Sequence, residues 1–171
     1  MKSHLGVFFG RLTVNLAEET LKKLSERALA LELKAQLVRA EKIAGKTHCE
    51  WAAFQAEEAF SAGQNLTRAW ETEFLVRISG QRQIEKALDG FGLRKGKQNC
   101  ALVVLGPKEK ADKLKKWAEK ELGFKSAPFK MEQKKVQEWF SVSDAELKAL
   151  SDLKNPLESA VLERVALAGT E

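Results

Sequence analysis

An apolar run from Leu5 to Gly10 reads as a first strand, and Asn15 with Glu18 three residues on predicts a helix whose buried stripe is Ala17, Leu21, Leu24, Ala28 and Leu31. Thr47-His48-Cys49-Glu50 has the form of a capping box and opens a second helix that ends near Gly63. The inner face of that helix is small (Ala52, Ala56, Ala59) and closes with Phe60, which lets a helix lie near a sheet. From Glu73 the period shortens to two. Phe74, Val76 and Ile78 fall on one side and Glu73, Leu75 and Arg77 on the other, as in a strand with one apolar face. Gly80 then marks a turn, and Ile84, Ala87, Leu88 and Phe91 follow the helical rule, with Arg82 and Lys86 pointing away from the stripe.

The unbroken apolar run from Cys100 to Leu105 predicts a strand covered on both faces. Pro107 starts a helix with Ala111, Leu114, Ala118 and Leu122 inward, closed by Gly123, and the segment from Phe124 to Lys130 reads as a loop or short edge strand. Helices dominate the remainder. Val136, Trp139 and Phe140 share a stripe, Ser143 with Glu146 caps another helix, and Asn155-Pro156-Leu157-Glu158 supplies the start of the last. In that last helix Leu157, Val161, Val165 and Ala168 make a core stripe, while Ala160, Leu162, Ala166 and Leu167 widen the apolar arc beyond what a surface helix needs. Such a helix is either sandwiched in its own core or presents a docking face. The fold class predicted is α/β (α+β): a small mixed sheet of about four strands covered by helices, with a helical C-terminal region.

At 171 residues and 44% hydrophobic, the chain is long enough for one sizeable core, and residues 1–171 are expected to form one domain. Cys49 and Cys100 lie in apolar surroundings without C-x-x-C spacing, which fits a reduced, cytoplasmic setting. The N-terminal apolar stretch is too short for a signal peptide, no run approaches a membrane span, and no membrane partner is expected. Asn65 stands in a sequon and reads as a helix cap. A net charge of +5 favours polyanions without requiring one. The lysines at 22, 23, 108, 110, 113, 115, 116 and 120 interleave with glutamates as solvated helix faces; Arg94, Lys95 and Lys97, between a helix end and a strand, either cap carbonyls or meet RNA.

Catalytic chemistry is hard to find. The chain has no G-x-x-x-x-G-K-[ST] loop, no G-x-G-x-x-G after a strand, no G-x-S-x-G and no H-E-x-x-H. His48 has no partner at metal or nucleophile spacing and reads as a cap and core filler; Glu57 and Glu58 read as exposed helix positions. No catalytic residue, metal site or cofactor is expected. The one constellation with chemistry in it is the turn at Gly80, which would aim free N–H groups and the charge of Arg82 at one spot, as a phosphate requires. The plainer reading has Arg77 paired with Glu73 and Arg82 and Lys86 on a solvated face.

The block from Glu73 to Leu88, and Ile78-Ser79-Gly80-Gln81-Arg82-Gln83-Ile84 within it, closely resembles the kinase-binding regulatory subunit of the KEOPS complex, the CGI-type or PRPK-binding protein family. The likeness extends through Ile43-Ala44-Gly45 with His48, Asn65-Leu66-Thr67-Arg68, Phe91-Gly92-Leu93 and Val161 to Leu167. It also places a strand near Gln36 to Ala40, where periodicity alone would continue the helix. The stretch from Asn15 to Lys34 is longer and more charged than the family pattern.

The resemblance implies a non-catalytic subunit that binds and activates the small atypical kinase of KEOPS and docks the 3′ CCA end of tRNA. It implies tRNA contacts at Arg68, Arg77, Arg82 and Lys86, with Trp51 and Trp70 as nearby stacking candidates that are also core candidates, and it leaves a homo-oligomer open. The broad apolar arc of the last helix, taken as a docking face, would set Leu157, Val161, Leu162 and Val165 toward the kinase. Two other readings stand beside this one. One is a stand-alone small enzyme acting on a phosphorylated metabolite with Gly80 and Arg82 as anion site, and the other is a purely structural protein-binding module.

Overall fold

A computed structural model describes residues 4–168. They hold a four-stranded antiparallel sheet and eight α-helices, an α/β architecture, arranged as two compact units: Met1–Ala40 with Gly92–Phe129, and Glu41–Phe91 with Lys130–Glu171. No helix among the described residues is long and apolar enough to cross a membrane.

The first unit contains β1 (Leu5–Val14), α1 (Ala17–Ala30), β2 (Lys34–Arg39), β3 (Gly96–Leu105), α5 (Lys108–Trp117) and β4 (Lys125–Ser126). The strand order is β2-β3-β1-β4. β3 lies between β1 and β2, and the part of it flanked by both, Cys100 to Leu105, is the unbroken apolar run; Leu5 faces Leu105 at one end of its pairing with β1 and Val14 faces Gly96 at the other. Leu12, Val14, Leu37, Leu102 and Val104 on one sheet face pack with Leu24 and Ala28 of α1 and with Ala111, Leu114 and Ala118 beneath α5. Cys100 belongs to this core and is fully buried. A π-helical turn, Ala118–Leu122, prolongs α5. The strand expected near residues 36–40 is present as β2, whereas α1 begins at Ala17 with no side-chain cap, so Asn15 does not act as the expected one.

The second unit is helical: α2 (Lys46–Ser61), α3 (Trp70–Ser79), α4 (Ile84–Phe91), α6 (Gln133–Phe140), α7 (Asp144–Ala149) and α8 (Pro156–Ala168). Here the period-two reading of residues 73–79 is corrected, because the segment is the C-terminal part of α3. Every residue from Glu73 to Ser79 is buried, so no exposed face was left to reveal the true period. Gly80 ends α3 in the left-handed conformation (φ 66°) that favours glycine.

The start of α2 is also not the expected capping box. Gly45 is its N-cap, and the carboxylate that accepts the His48 backbone N–H (3.2 Å) belongs to Glu158 of α8. A Cβ at position 45 would run into that carboxylate, so a larger residue there would push the Glu158 side chain away from its place at the start of α2. Asn65 caps no helix; its Nδ2 donates to Thr67 O (2.7 Å) within a turn. Ser143 does cap α7, accepting from Glu146 N at 3.1 Å.

Candidate nucleic-acid and partner interface

Glu73 organises the centre of the helical unit. Its carboxylate is fully buried and accepts five hydrogen bonds. Oε2 takes the backbone N–H groups of Leu66 (2.9 Å) and Thr67 (2.8 Å) and the Thr67 hydroxyl (3.1 Å). Oε1 takes Arg77 Nε (3.0 Å) and Nη2 (2.8 Å). The pair sits at i and i+4 on one helix, a spacing that brings side chains together. Arg77, expected from the resemblance as a tRNA contact, is instead paired with Glu73, as in the plainer reading of the sequence. It is 8% exposed and already holds an anion, which is Glu73.

One backbone N–H of the turn is already taken. The Gln81 N–H is taken by Ser79 Oγ (3.1 Å), and the Ser79 carbonyl accepts from Trp139 Nε1 (2.9 Å). Arg82, Lys86 and Arg68 are exposed as expected, Arg82 making one 3.3 Å hydrogen bond to Ala168 O. On α4 only Ala87, Gly90 and Phe91 are buried; Ile84 and Leu88, expected in the core, are 40% and 46% exposed. Of the two tryptophans, Trp70 is in the core, stacked on Phe74 at 5.4 Å, while Trp51 is exposed and stacked on the equally exposed Phe54.

The expected docking residues of α8 divide in the same way. Leu157, Val161 and Val165 are buried within the helical unit and are not available to a partner; Leu162 is half-buried, and Leu167 is exposed. The wide apolar arc is thus mostly core. Arg164, on the polar side of α8, was not singled out in the sequence beyond its place in the resemblance, yet it binds Glu146 through both guanidinium ends (2.6 and 2.7 Å) and donates to Phe140 O (2.7 Å) and Ser141 O (3.0 Å). That bonding joins the α6–α7 connection to α8.

His48 is a structural residue. Its Nδ1 accepts the Ala44 N–H (3.0 Å) and its Nε2 donates to Ile78 O (2.8 Å), a pattern that only the neutral ring satisfies. Burial lowers its pKa to about 4, against a weaker opposing hydrogen bond to Ile78. Desolvation raises the Glu158 carboxyl above the usual range, opposed by the N–H groups it caps. Cys49 is fully buried, and burial raises its pKa too. No group of three or more metal-ligating side chains occurs among the described residues. The recess bordered by Phe54, Gln55, Glu58, Gln64, Arg77 and Ala166, of about 230 Å³, brings no acid, base and nucleophile together.

Comparison with known proteins gives the family. Over 128 residues the chain is 34% identical to the KEOPS complex subunit Cgi121 of Pyrococcus abyssi, an alignment covering 71% of this chain and 68% of that protein. Residues 13–169 match the family described as kinase binding protein CGI-121. The match takes in β1 from Thr13 and every later element, and the chain belongs to the CGI-121 family.

Proposed function

We propose that this protein is a non-catalytic, cytoplasmic subunit of a KEOPS complex, which binds and activates the small atypical kinase of that complex and docks the 3′ CCA end of tRNA in support of adenosine threonylcarbamoylation. The observation that carries the reading is the family match across residues 13–169, with a relative named as a KEOPS subunit. The description of the matching family as a kinase binding protein supports the non-catalytic reading over the enzyme alternative.

Kinase docking falls to apolar side chains that reach the surface. On α8 these are Leu162 and Leu167, and on α2 Trp51 and Phe54. Changes at Leu157, Val161 or Val165 test the core instead. The expected outcome is that Leu162→Glu abolishes co-elution with the kinase while the circular dichroism spectrum is retained; unchanged co-elution removes α8 from the interface. For the tRNA tail, Arg82, Lys86 and Arg68 are the accessible cations. Arg82→Glu should weaken binding of intact tRNA at matched salt, and tRNA trimmed of its CCA end should bind less well than intact tRNA. Equal binding of the two RNAs would refute tail docking.

A further inference from the structure

Every charged side chain on the four strands is a cation: Arg11 on β1, Lys34 and Arg39 on β2, Lys97 on β3 and Lys125 on β4. Four of them share one face, Lys34 at the end where it lies opposite Leu105 and the other three toward the opposite end. Arg11 lies directly opposite Lys125 on one side and Asn99 on the other, and Thr13, two residues along β1, lies opposite Lys97. Directly opposed residues place their Cβ atoms about 5 Å apart on the same side of a sheet. Arg11, Thr13, Lys97, Asn99 and Lys125 are all exposed, and the side chains of Arg11, Lys97 and Lys125 have no ion-pair or hydrogen-bond partner among the described residues.

Like charges facing each other across a ladder are destabilising. A lysine on the two-residue edge strand β4 has a ready explanation, since edge lysines discourage pairing with other chains. Arg11 is paired on both sides, with Asn99 and with Lys125, where edge protection does not apply, whereas Lys97 lies beyond the end of β2 and is paired with Thr13 alone. The turn that delivers Lys97 is held in place as well, because the Gln98 side chain accepts the Arg94 N–H (3.0 Å) and donates to Gly96 O (3.0 Å). The field around this cluster has the same sign. The segments of the sheet unit carry 17 Lys+Arg and 8 Asp+Glu, a net +9, whereas those of the helical unit carry 12 and 16, a net −4. The carboxylates of the sheet unit lie on α1, the turn after it, and α5 with its π turn, none of them on a strand.

We propose that this face of the sheet, centred on Arg11, Lys97 and Lys125, binds the phosphodiester backbone of RNA. The inference rests on the tRNA reading above and adds a second contact surface, on the unit that holds the positive charge. Thr13 and Asn99 beside the cations offer hydrogen bonds to phosphate and sugar oxygens. An anionic membrane would instead call for exposed apolar wedges beside the cations, whereas Phe9, two residues from Arg11 on this face, is half-buried and packed on Phe129 (4.5 Å).

The test is equilibrium binding of the full chain to intact tRNA and to the same tRNA trimmed of CCA, across a salt series. The variants are the triple change Arg11→Gln, Lys97→Gln, Lys125→Gln and, separately, Arg82→Gln with Lys86→Gln. The triple variant should lose about tenfold or more in affinity for both RNAs and show a log K against log salt slope shallower by about two to three, one phosphate contact per cation. Its thermal midpoint should equal or exceed the parent's, because the opposed charges are gone. Single Arg11→Gln and Lys125→Gln variants should each flatten the slope by about one, which keeps the test open if the triple variant misfolds.

A triple variant with the parental slope overturns the inference even where the parent distinguishes intact from trimmed tRNA, in which case tail docking stands alone. Loss of binding in the triple variant with no effect of trimming supports this surface and removes tail docking. A parent that binds neither RNA, or that binds phosphatidylserine-containing phosphatidylcholine vesicles in preference to both, overturns the inference.

Discussion

Removing the guanidinium of Arg77 would strand the Glu73 carboxylate, which has no exposure to water. Breaking a buried pair from one side costs about 3–5 kcal/mol, so Arg77→Ala should lower unfolding free energy by that order in a urea titration, while Arg82→Ala should leave it unchanged. RNA-binding losses in Arg77 variants therefore need a folding control before they are read as lost contacts. His48 gives a pH signature. Its pKa is about 4 in the folded protein against 6.5 ordinarily, so between those values the unfolded chain binds the extra proton. The stabilising contribution is complete above pH 6.5 and disappears as pH falls toward 4, a loss of about 3 kcal/mol at most. Glu158, raised by burial, works in the opposite direction, its contribution being present at low pH and fading as pH climbs through its folded value. Denaturation midpoints from pH 7 to pH 4 should fall, and His48→Gln should flatten the decline.

At the level of elements, Arg164 shows how a single side chain sets the arrangement of three helices. It reaches Glu146 on α7, two carbonyls at the end of α6 and, from its own helix, Ala160 O. Arg164→Lys cannot reproduce that fork, and it should destabilise the helical unit by about 2 kcal/mol, with faster amide hydrogen exchange in α6 and α7. The same elements show what was legible. Helices with one wet face were readable: α5, α6 and α8 carry clear stripes, and Ser143 and Pro156 mark starts that the fold uses. α3 was not, because a helix buried from Glu73 to Ser79 has no polar face, and its alternation of branched and polar residues mimics a strand. The informative signals there were the i, i+4 spacing of Glu73 and Arg77 and a glycine at the position after the last turn. The cap of α2 was not readable either, since Glu158 reaches it from 110 residues away.

At the scale of the whole chain, composition gave a modest positive charge, and only the three-dimensional partition shows it to be the sum of one basic and one acidic unit. The resemblance identified the family correctly, but of the residues it and the apolar arc of α8 singled out, Arg77, Leu157, Val161 and Val165 are buried, and Arg68, Arg82, Lys86 and Leu162 reach solvent. Sequence order cannot distinguish a residue that closes a core from one that meets a partner when both are apolar and three or four apart.

Each unit also carries one sealed thiol, Cys100 in the sheet core and Cys49 on α2, with the pKa of Cys100 pushed up to about 12 by burial and that of Cys49 higher still. Neither should react with iodoacetamide in the native protein, because the thiolate is the attacking species and neither sulfur is accessible. Alkylation at each position then times the opening of its own surroundings. Equal labelling rates mean that both units melt in one event, whereas early modification of one cysteine means that its unit opens while the other stays shut. Mass spectrometry of the two tryptic peptides distinguishes these outcomes without a single substitution.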